Sequence, residues 1–309
     1  MKVHRDIDNL PVFRNAVITI GTFDGVHMGH RQIIDKLKTE AKTINGETVI
    51  ITFHPHPRKV IASTILGVRL INTLDEKLEL LEQLGIDHVV VVPFTDAFAN
   101  QPAVDYVKNF LIDKFHPHTI IIGYDHRFGK ERKGDYLLLE KMAVQCGYEL
   151  KEISKHVLDE ISISSTKIRE SLLEGKIEVA DKLLGYEFFF SGIVVHGDKL
   201  GRKLGYPTAN LKIPDEEKIT PGNGIYAVYA RPEGFDKRLK GMMSIGFRPT
   251  VDGKKRVIEV NIFDFDKEIY DETLKVYVKK YLREEIKFNG LDDLVKQIGM
   301  DKIESLKIL

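Results

Sequence analysis

Ala16-Val17-Ile18-Thr19-Ile20-Gly21-Thr22-Phe23-Asp24-Gly25-Val26-His27-Met28-Gly29-His30 decides the fold of the first half of this chain. Residues 16–20 form an apolar run rich in β-branched side chains, which reads as a buried strand. The residues that follow, Arg31 to Leu37, have helical periodicity. A glycine-rich turn therefore joins a strand to a helix. Such a turn aims backbone N–H groups and the positive end of a helix at one point, which suits a phosphate. His27 and His30 are three residues apart, so a helical first turn puts them on one face.

Working outward, strand-like and helix-like segments alternate. Apolar runs recur at Val49–Phe53, Val89–Phe94 and Ile120–Gly123, with a weaker one at Tyr148–Ile153. Helical patterns at Arg31–Ala41, Leu74–Leu84, Val104–Phe115 and Tyr136–Gln145 lie between them. Near-continuous apolar strands separated by helices predict a doubly wound α/β fold with a parallel sheet covered on both faces. Ligands in such sheets bind beyond the carboxyl ends of the strands. The turns at Gly21–His30, His54–Pro57 and Gly123–Gly129 all follow strands and should open on that edge.

Near Gly185 the texture changes. Short strand-like segments at Phe188–Val195, Tyr226–Arg231, Gly241–Ile245, Val257–Asp264 and Leu274–Val278 follow one another with Gly and Pro between them. They predict a small antiparallel β-barrel or sandwich, with a helix at Leu291–Ile298. Two domains are expected, 1–185 and 186–309.

The 309 residues carry 46 Lys plus Arg against 46 Asp plus Glu, a formal net charge of zero that argues against a general nucleic-acid binder. The one cysteine, Cys146, rules out an internal disulfide and points to a reducing cytoplasm. It reads as a small apolar helix residue. No leader and no membrane-length apolar window is legible. The expected state is a monomer or a weak homo-oligomer.

The two histidines admit three readings. They are incidental to a structural turn, or they bind a metal with His54 and His56, or they stabilise charge at a phosphorus centre. Imidazoles suit zinc, but no cysteine or carboxylate cluster accompanies them. The third reading has its own chemical logic. A phosphate that attacks the α-phosphate of ATP is already ionised, so the protein needs only to position the reactants and neutralise developing charge. Two further segments supply groups for that task. Gly123-Tyr124-Asp125-His126-Arg127-Phe128-Gly129 follows a strand, with Lys130, Arg132 and Lys133 close behind. Ile163-Ser164-Ser165-Thr166-Lys167-Ile168-Arg169 reads as an N-cap-like hydroxyl cluster starting a helix that carries Arg169.

In the second half, Val195 to Leu211 contains Gly197, Gly201, Arg202, Lys203, Gly205, Pro207, Thr208 and Asn210. Glycines and basic residues at this density can wrap nucleotide phosphates. The Thr208 hydroxyl and Asn210 amide oxygen are hard ligands suited to Mg²⁺. The Gly-Lys-Ser/Thr ending of a Walker A motif is missing. A polar hairpin with no ligand is the plain alternative. Phosphorylating an alcohol requires a general base, and Glu259, in the alternating stretch Val257–Phe263, is the candidate. Taken alone, Glu259 reads more simply as an exposed strand residue.

Gly21–His30 resembles the HxGH signature of the nucleotidyltransferase superfamily, and Ile163–Arg169 its ISSTxxR signature. The whole chain is similar to the family of bacterial bifunctional riboflavin kinases/FMN adenylyltransferases. The match runs through Phe53–Pro57, Gly123–Gly129, His196–Leu211, Gly224–Tyr226, Ser244–Thr250, Glu259, Asp264-Phe265, Arg283-Glu284 and Leu291–Ile298. The resemblance implies that the second domain converts riboflavin and ATP to FMN, and that the first adenylylates FMN to FAD with release of pyrophosphate, both with Mg²⁺. It assigns His27, His30, Ser165 and Arg169 to ATP in the first domain, with Gly21, Phe23, Asp24, Gly25, Gly29, Ser164 and Thr166 around the phosphates. Asp125, Arg127 and Phe128 are expected near the flavin there, and Arg248 and Arg283 near the flavin of the second domain. Thr208 and Asn210 fall to Mg²⁺ and ATP phosphates, and Glu259 to deprotonating the ribityl 5′-hydroxyl.

This chain departs from the family pattern at two places. His126 stands where an aromatic is expected, and Asp271 where a glycine is expected, which makes a positive φ at 271 less expected. Two other functions remain on the sequence alone. The first domain could adenylylate a different phosphate acceptor, such as phosphopantetheine, or the chain could bind flavin without turnover.

Overall fold

The computed structural model describes residues 1–61, 69–123, 126–197, 200–250 and 253–309. The chain divides into two compact units, Met1–Ser165 and Thr166–Leu309.

The first unit is built on a six-stranded sheet: β1 (Lys2–His4), β2 (Val17–Ile20), β3 (Thr48–His54), β4 (His88–Pro93), β5 (Thr119–Gly123) and β6 (Glu149–Ile153). Its order is β1-β4-β3-β2-β5-β6, and every pair is parallel. The expected strands are all present. β1 was not legible, being three residues long with Val3 as its only apolar member. β2 and β5 are buried along their whole length, as strands covered on both faces must be. Each Ile or Val buried this way contributes about 1.5–3 kcal/mol.

Strand order reverses beside β2. The chain steps from β2 to β3 to β4 on one side, then returns to β5 and β6 on the other. Such a switch point opens a crevice at the carboxyl ends of the strands. The turn Gly21–His30 leaves β2 at that point, flanked by the ends of β3 and β5.

The helices form where periodicity predicts them. Met28–Thr43 buries His30, Ile33, Ile34, Leu37 and Ala41. Leu74–Gln83 starts with a capping box in which Thr73 and Glu76 satisfy each other's backbone N–H groups. The predicted Val104–Phe115 helix is present, with its middle turns Tyr106–Ile112 widened to π geometry.

One expectation is corrected. The Ser/Thr cluster does not start a helix: Lys155–Leu173 is a single helix, and Ser164, Ser165 and Thr166 lie within it. The segment contains neither Gly nor Pro, so nothing interrupts it at the hydroxyl residues.

In the second unit, strands β7 (Phe189–Val195), β8 (Ala209–Lys212), β9 (Gly224–Pro232), β10 (Leu239–Thr250), β11 (Gly253–Ile262) and β12 (Thr273–Arg283) close into a barrel, order β10-β11-β8-β7-β12-β9. All its pairings are antiparallel. The C-terminal helix Leu291–Ile308 packs on β9, β10 and β12 and is ten residues longer than predicted. Asp271 corrects the second expectation: its φ is 63°, and its N–H donates to Val194 O at 2.9 Å. Asp tolerates left-handed backbone better than most side chains, so the turn survives without glycine.

Asp181, on the helix Ile177–Leu184, accepts a hydrogen bond from Phe188 N at 2.8 Å. Burial raises its carboxyl to about 7, against the lowering effect of that hydrogen bond. The unfolded carboxyl titrates near 4, so the stability tied to Asp181 is full below that pH and is lost as pH rises through about 7. Asp181→Asn keeps an oxygen for Phe188 N without the buried charge. It is expected to raise stability by about 1–2 kcal/mol at pH 8.5, after discounting for partial exposure, and by little at pH 5. Thermal melts at the two pH values check this, and equal shifts at both would refute it.

Candidate functional sites

The Gly21–His30 turn is strained and buried. Gly25 has φ 89°, and Phe23 and Val26 take left-handed values of 48° and 38° despite their side chains. Each of these costs about 1–2 kcal/mol. Phe23 and Val26 are 2% and 1% exposed, so packing holds them in place. Strain of this kind concentrates where a backbone must present groups to a ligand.

Asp24 pins the turn, its Oδ1 accepting the N–H groups of Ile71 at 2.9 Å and Asn72 at 3.2 Å. Gly21 N donates to Ile51 O at 3.0 Å, tying the turn to β3. His27 is the N-cap of the Met28–Thr43 helix, and Gly29 and His30 fall in its first turn. The two imidazoles stack at 3.9 Å between centroids, and Phe23 packs on His30 at 5.1 Å.

His27 Nε2 and Ser165 Oγ share a hydrogen bond of 2.8 Å. The structure thus joins the two sequence motifs directly. His30 Nδ1 has no hydrogen-bond partner among the described residues. Burial, reinforced by His27 and Lys77, pushes the His30 imidazole well below its ordinary titration range. His30 is therefore a neutral ring at pH 7, able to donate one N–H to an oxyanion.

The other candidates of the first unit separate. His54 is exposed at the end of β3, before a cis peptide to Pro55. Among the described residues no group of three or more His, Cys, Asp or Glu is arranged to hold a metal. Asp125 lies outside the described residues. Arg127 forms an ion pair with Asp135 at 3.0 Å. Phe128 stacks on Tyr106 at 4.7 Å and belongs to the core. His126 keeps the flat ring expected there, 5.7 Å from Phe128, and burial takes its imidazole down to about 4 with help from Arg132. Ser164 and Thr166 flank Ser165 on its helix. Arg169 lies four residues beyond Ser165 and is counted with the second unit.

In the barrel, strand register assembles the second site. Glu259 on β11 lies directly opposite Asn210 on β8. Opposed residues of an antiparallel pair project to the same face. Thr208 lies in the segment just ahead of β8. A Cβ at Gly197 would collide with the Asn210 amide, so a larger residue there would push that side chain aside. Gly201 is confined more firmly, because a Cβ there would meet the Tyr206 backbone carbonyl. Gly201 and Lys203 lie in the short helix Leu200–Lys203, Gly205 has φ 83°, and Pro207 O accepts Asn261 Nδ2 at 2.6 Å.

Arg248 bridges two carboxylates, Glu259 at 3.0 Å and Glu285 at 2.9 Å. Arg283 makes a bidentate pair with the buried Asp301 of the C-terminal helix, at 2.8 and 2.6 Å. Sequence reasoning foresaw none of these three ion pairs.

Two family models match in the order of the two units. A FAD synthetase model covers residues 10–167, and a riboflavin kinase model covers residues 184–309. The bifunctional riboflavin kinase/FMN adenylyltransferase of Buchnera aphidicola is 39% identical over 99% of this chain and 98% of its own length. That of Escherichia coli K12 is 37% identical over 98% and 96%. The chain belongs to the bifunctional riboflavin kinase/FMN adenylyltransferase family. A crystal structure described as a macrolide-efflux protein from Streptococcus pneumoniae has the same fold, with TM-score 0.83 and 29% identity over 98% of each chain. Among the described residues no helix is long and apolar enough to cross a membrane.

For a member of the riboflavin kinase/FMN adenylyltransferase family, two buried polar residues near the Gly21–His30 turn escaped the sequence reading: Thr52, fully buried on β3, and Lys77, 6% exposed on the Leu74–Gln83 helix. The signal for Lys77 was present. It is in phase with Leu80 and Leu81, a position a purely structural helix fills with an apolar residue.

Proposed function

We propose that the two chemistries divide by what each acceptor requires. The observation that carries this is the placement of Glu259 opposite Asn210 in the barrel. As a member of its family the chain makes FMN from riboflavin and ATP, then FAD from FMN and ATP. The first step must take a proton from a hydroxyl, and Glu259 is the base. Thr208 and Asn210 are the residues that would hold a magnesium ion at the phosphate end of ATP, with Gly197, Gly201, Lys203, Gly205 and Pro207 lining the phosphates.

The donor set supports magnesium. Thr208 and Asn210 offer hard oxygens, and Gly197 runs close beside the Asn210 amide. A set this sparse suits an ion that keeps water and substrate phosphates as most of its ligands. When bound, it would neutralise charge on the phosphate oxygens.

In adenylyl transfer the FMN phosphate attacks without a base. His27, His30, Ser165 and Arg169 stabilise the charge that develops on the α-phosphate of ATP. The neutral His30 and the His27–Ser165 hydrogen bond support this assignment. Arg127 and Phe128 serve the flavin of this site, and Arg248 and Arg283 that of the kinase. The adenylylation chemistry falls to a domain of residues 1–185 and the kinase chemistry to residues 186–309. The single cysteine suits a reducing cytoplasm.

Incubating the full chain with riboflavin, ATP and Mg²⁺ and separating the flavins tests the reading. FMN followed by FAD is expected. FMN alone would mean a different acceptor in the first domain, and neither product would mean a flavin-binding protein without turnover.

A further inference from the structure

Lys77 lies behind the histidine turn, and the chemistry above gives it no part. A lysine this buried is rare without a partner, because desolvating an ammonium costs several kcal/mol. Its Nζ donates to Thr52 Oγ1 at 3.4 Å, and Thr52 Oγ1 donates onward to Thr22 O at 3.3 Å. Thr22 stands next to Phe23, whose ring packs on His30. A polar chain thus runs from the Leu74–Gln83 helix through β3 to the turn. A second link runs through Asp24, whose carboxylate holds the N–H groups of Ile71 and Asn72 just ahead of that helix. Asp24 also faces the Lys77 ammonium.

We propose that Lys77 is a positioning residue for adenylyl transfer, fixing the Gly21–His30 turn through Thr52 and setting the electrostatic surroundings of His30 from inside the domain. The proposal rests on the role given to His30 above. Burial brings the Lys77 ammonium down to about 8, against the opposing charge of Asp24, so Lys77 is cationic at pH 7 and loses its charge as pH rises through that value. The titratable groups facing Lys77 are Asp24 and His30, and those facing His30 are His27 and Lys77. Thr52 and Phe23 complete the surroundings without charge. A cation beside His30 disfavours imidazolium, which keeps the ring neutral as a donor.

The test uses the full chain with Lys77→Met, Lys77→Arg and Thr52→Val, and three measurements. These are FAD formation from supplied FMN, FMN formation from riboflavin by the same preparations, and the titration of the His30 ring by NMR. Lys77→Met is expected to lower kcat for FAD formation by about 10- to 10²-fold, with little change in KM for FMN and none in riboflavin phosphorylation. The His30 titration midpoint should move up in that variant, and Lys77→Arg should recover part of the lost rate. Thr52→Val breaks the same chain without introducing a new buried group, so it too must lower FAD turnover.

The proposal is overturned if Lys77→Met or Thr52→Val retains the wild-type kcat. It also fails if FAD formation falls while the His30 titration stays put and arginine restores nothing. His30→Ala separates the two levels. Normal FAD formation in that variant removes the site reading and this proposal together. A large loss in His30→Ala beside a normal Lys77→Met removes this proposal alone.

Discussion

Glu259→Gln is expected to cut FMN formation by about 10²- to 10⁴-fold, the range associated with losing a general base. Conversion of supplied FMN to FAD should be unchanged. Glutamine has the size of glutamate and keeps one oxygen, so the barrel register opposite Asn210 should persist. What disappears is the capacity to accept a proton from the ribityl hydroxyl. The Arg248 contact at 3.0 Å would weaken, but Arg248 keeps Glu285 at 2.9 Å as an anchor. Separate assays of FMN and FAD production read both steps from one preparation, so the adenylylation rate guards against a folding artefact. Normal riboflavin phosphorylation by the variant would sink the base assignment.

The reverse pattern is expected for His30→Ala: FAD formation falls by about 10²-fold or more, and riboflavin phosphorylation continues. That magnitude is typical of removing one preorganised donor from a developing oxyanion. The alanine variant also loses the stacking with His27 and the contact with Phe23. His30→Gln separates the two effects, because it retains a donor on a side chain of comparable reach and should recover part of the rate. If both variants form FAD at the wild-type rate, the histidine belongs to the architecture of the turn and not to the chemistry.

Much of this was legible in the sequence, and for identifiable reasons. Parallel strands buried on both faces must be apolar throughout, so Val17–Ile20, Val89–Val92 and Ile120–Ile122 announce themselves. The barrel was less transparent where its strands carry function. The phosphate-wrapping stretch Val195–Leu211 ends inside a strand, since β8 begins at Ala209. β10 and β11 run past their apolar centres into polar arms, Phe247–Thr250 and Gly253–Arg256, which alternation alone would not extend. Periodicity predicts a C-terminal helix ending at Ile298, just before Gly299, and the helix continues through that glycine to Ile308.

The hydroxyl cluster misled in another way. Ser and Thr favour helix starts, but they also occur within helices when a tertiary partner claims the side chain, as His27 claims Ser165. Long-range pairs such as Arg283 with Asp301 and Lys77 with Thr52 leave no local pattern, since each joins residues that only the fold brings together.

The shortest strand has a consequence of its own. β1 pairs Lys2 with His88, Val3 with Val89 and His4 with Val90, and so occupies the outer hydrogen-bonding edge of β4. Without it, His88-Val89-Val90-Val91-Val92 would offer unsatisfied backbone groups along a flat, β-branched ribbon, the kind of segment onto which a second chain adds a strand. A strand of three residues that exposes the charged Lys2 makes a poor template for further growth. β1 thus satisfies the open edge of β4, in the same sheet from which the Gly21–His30 turn emerges.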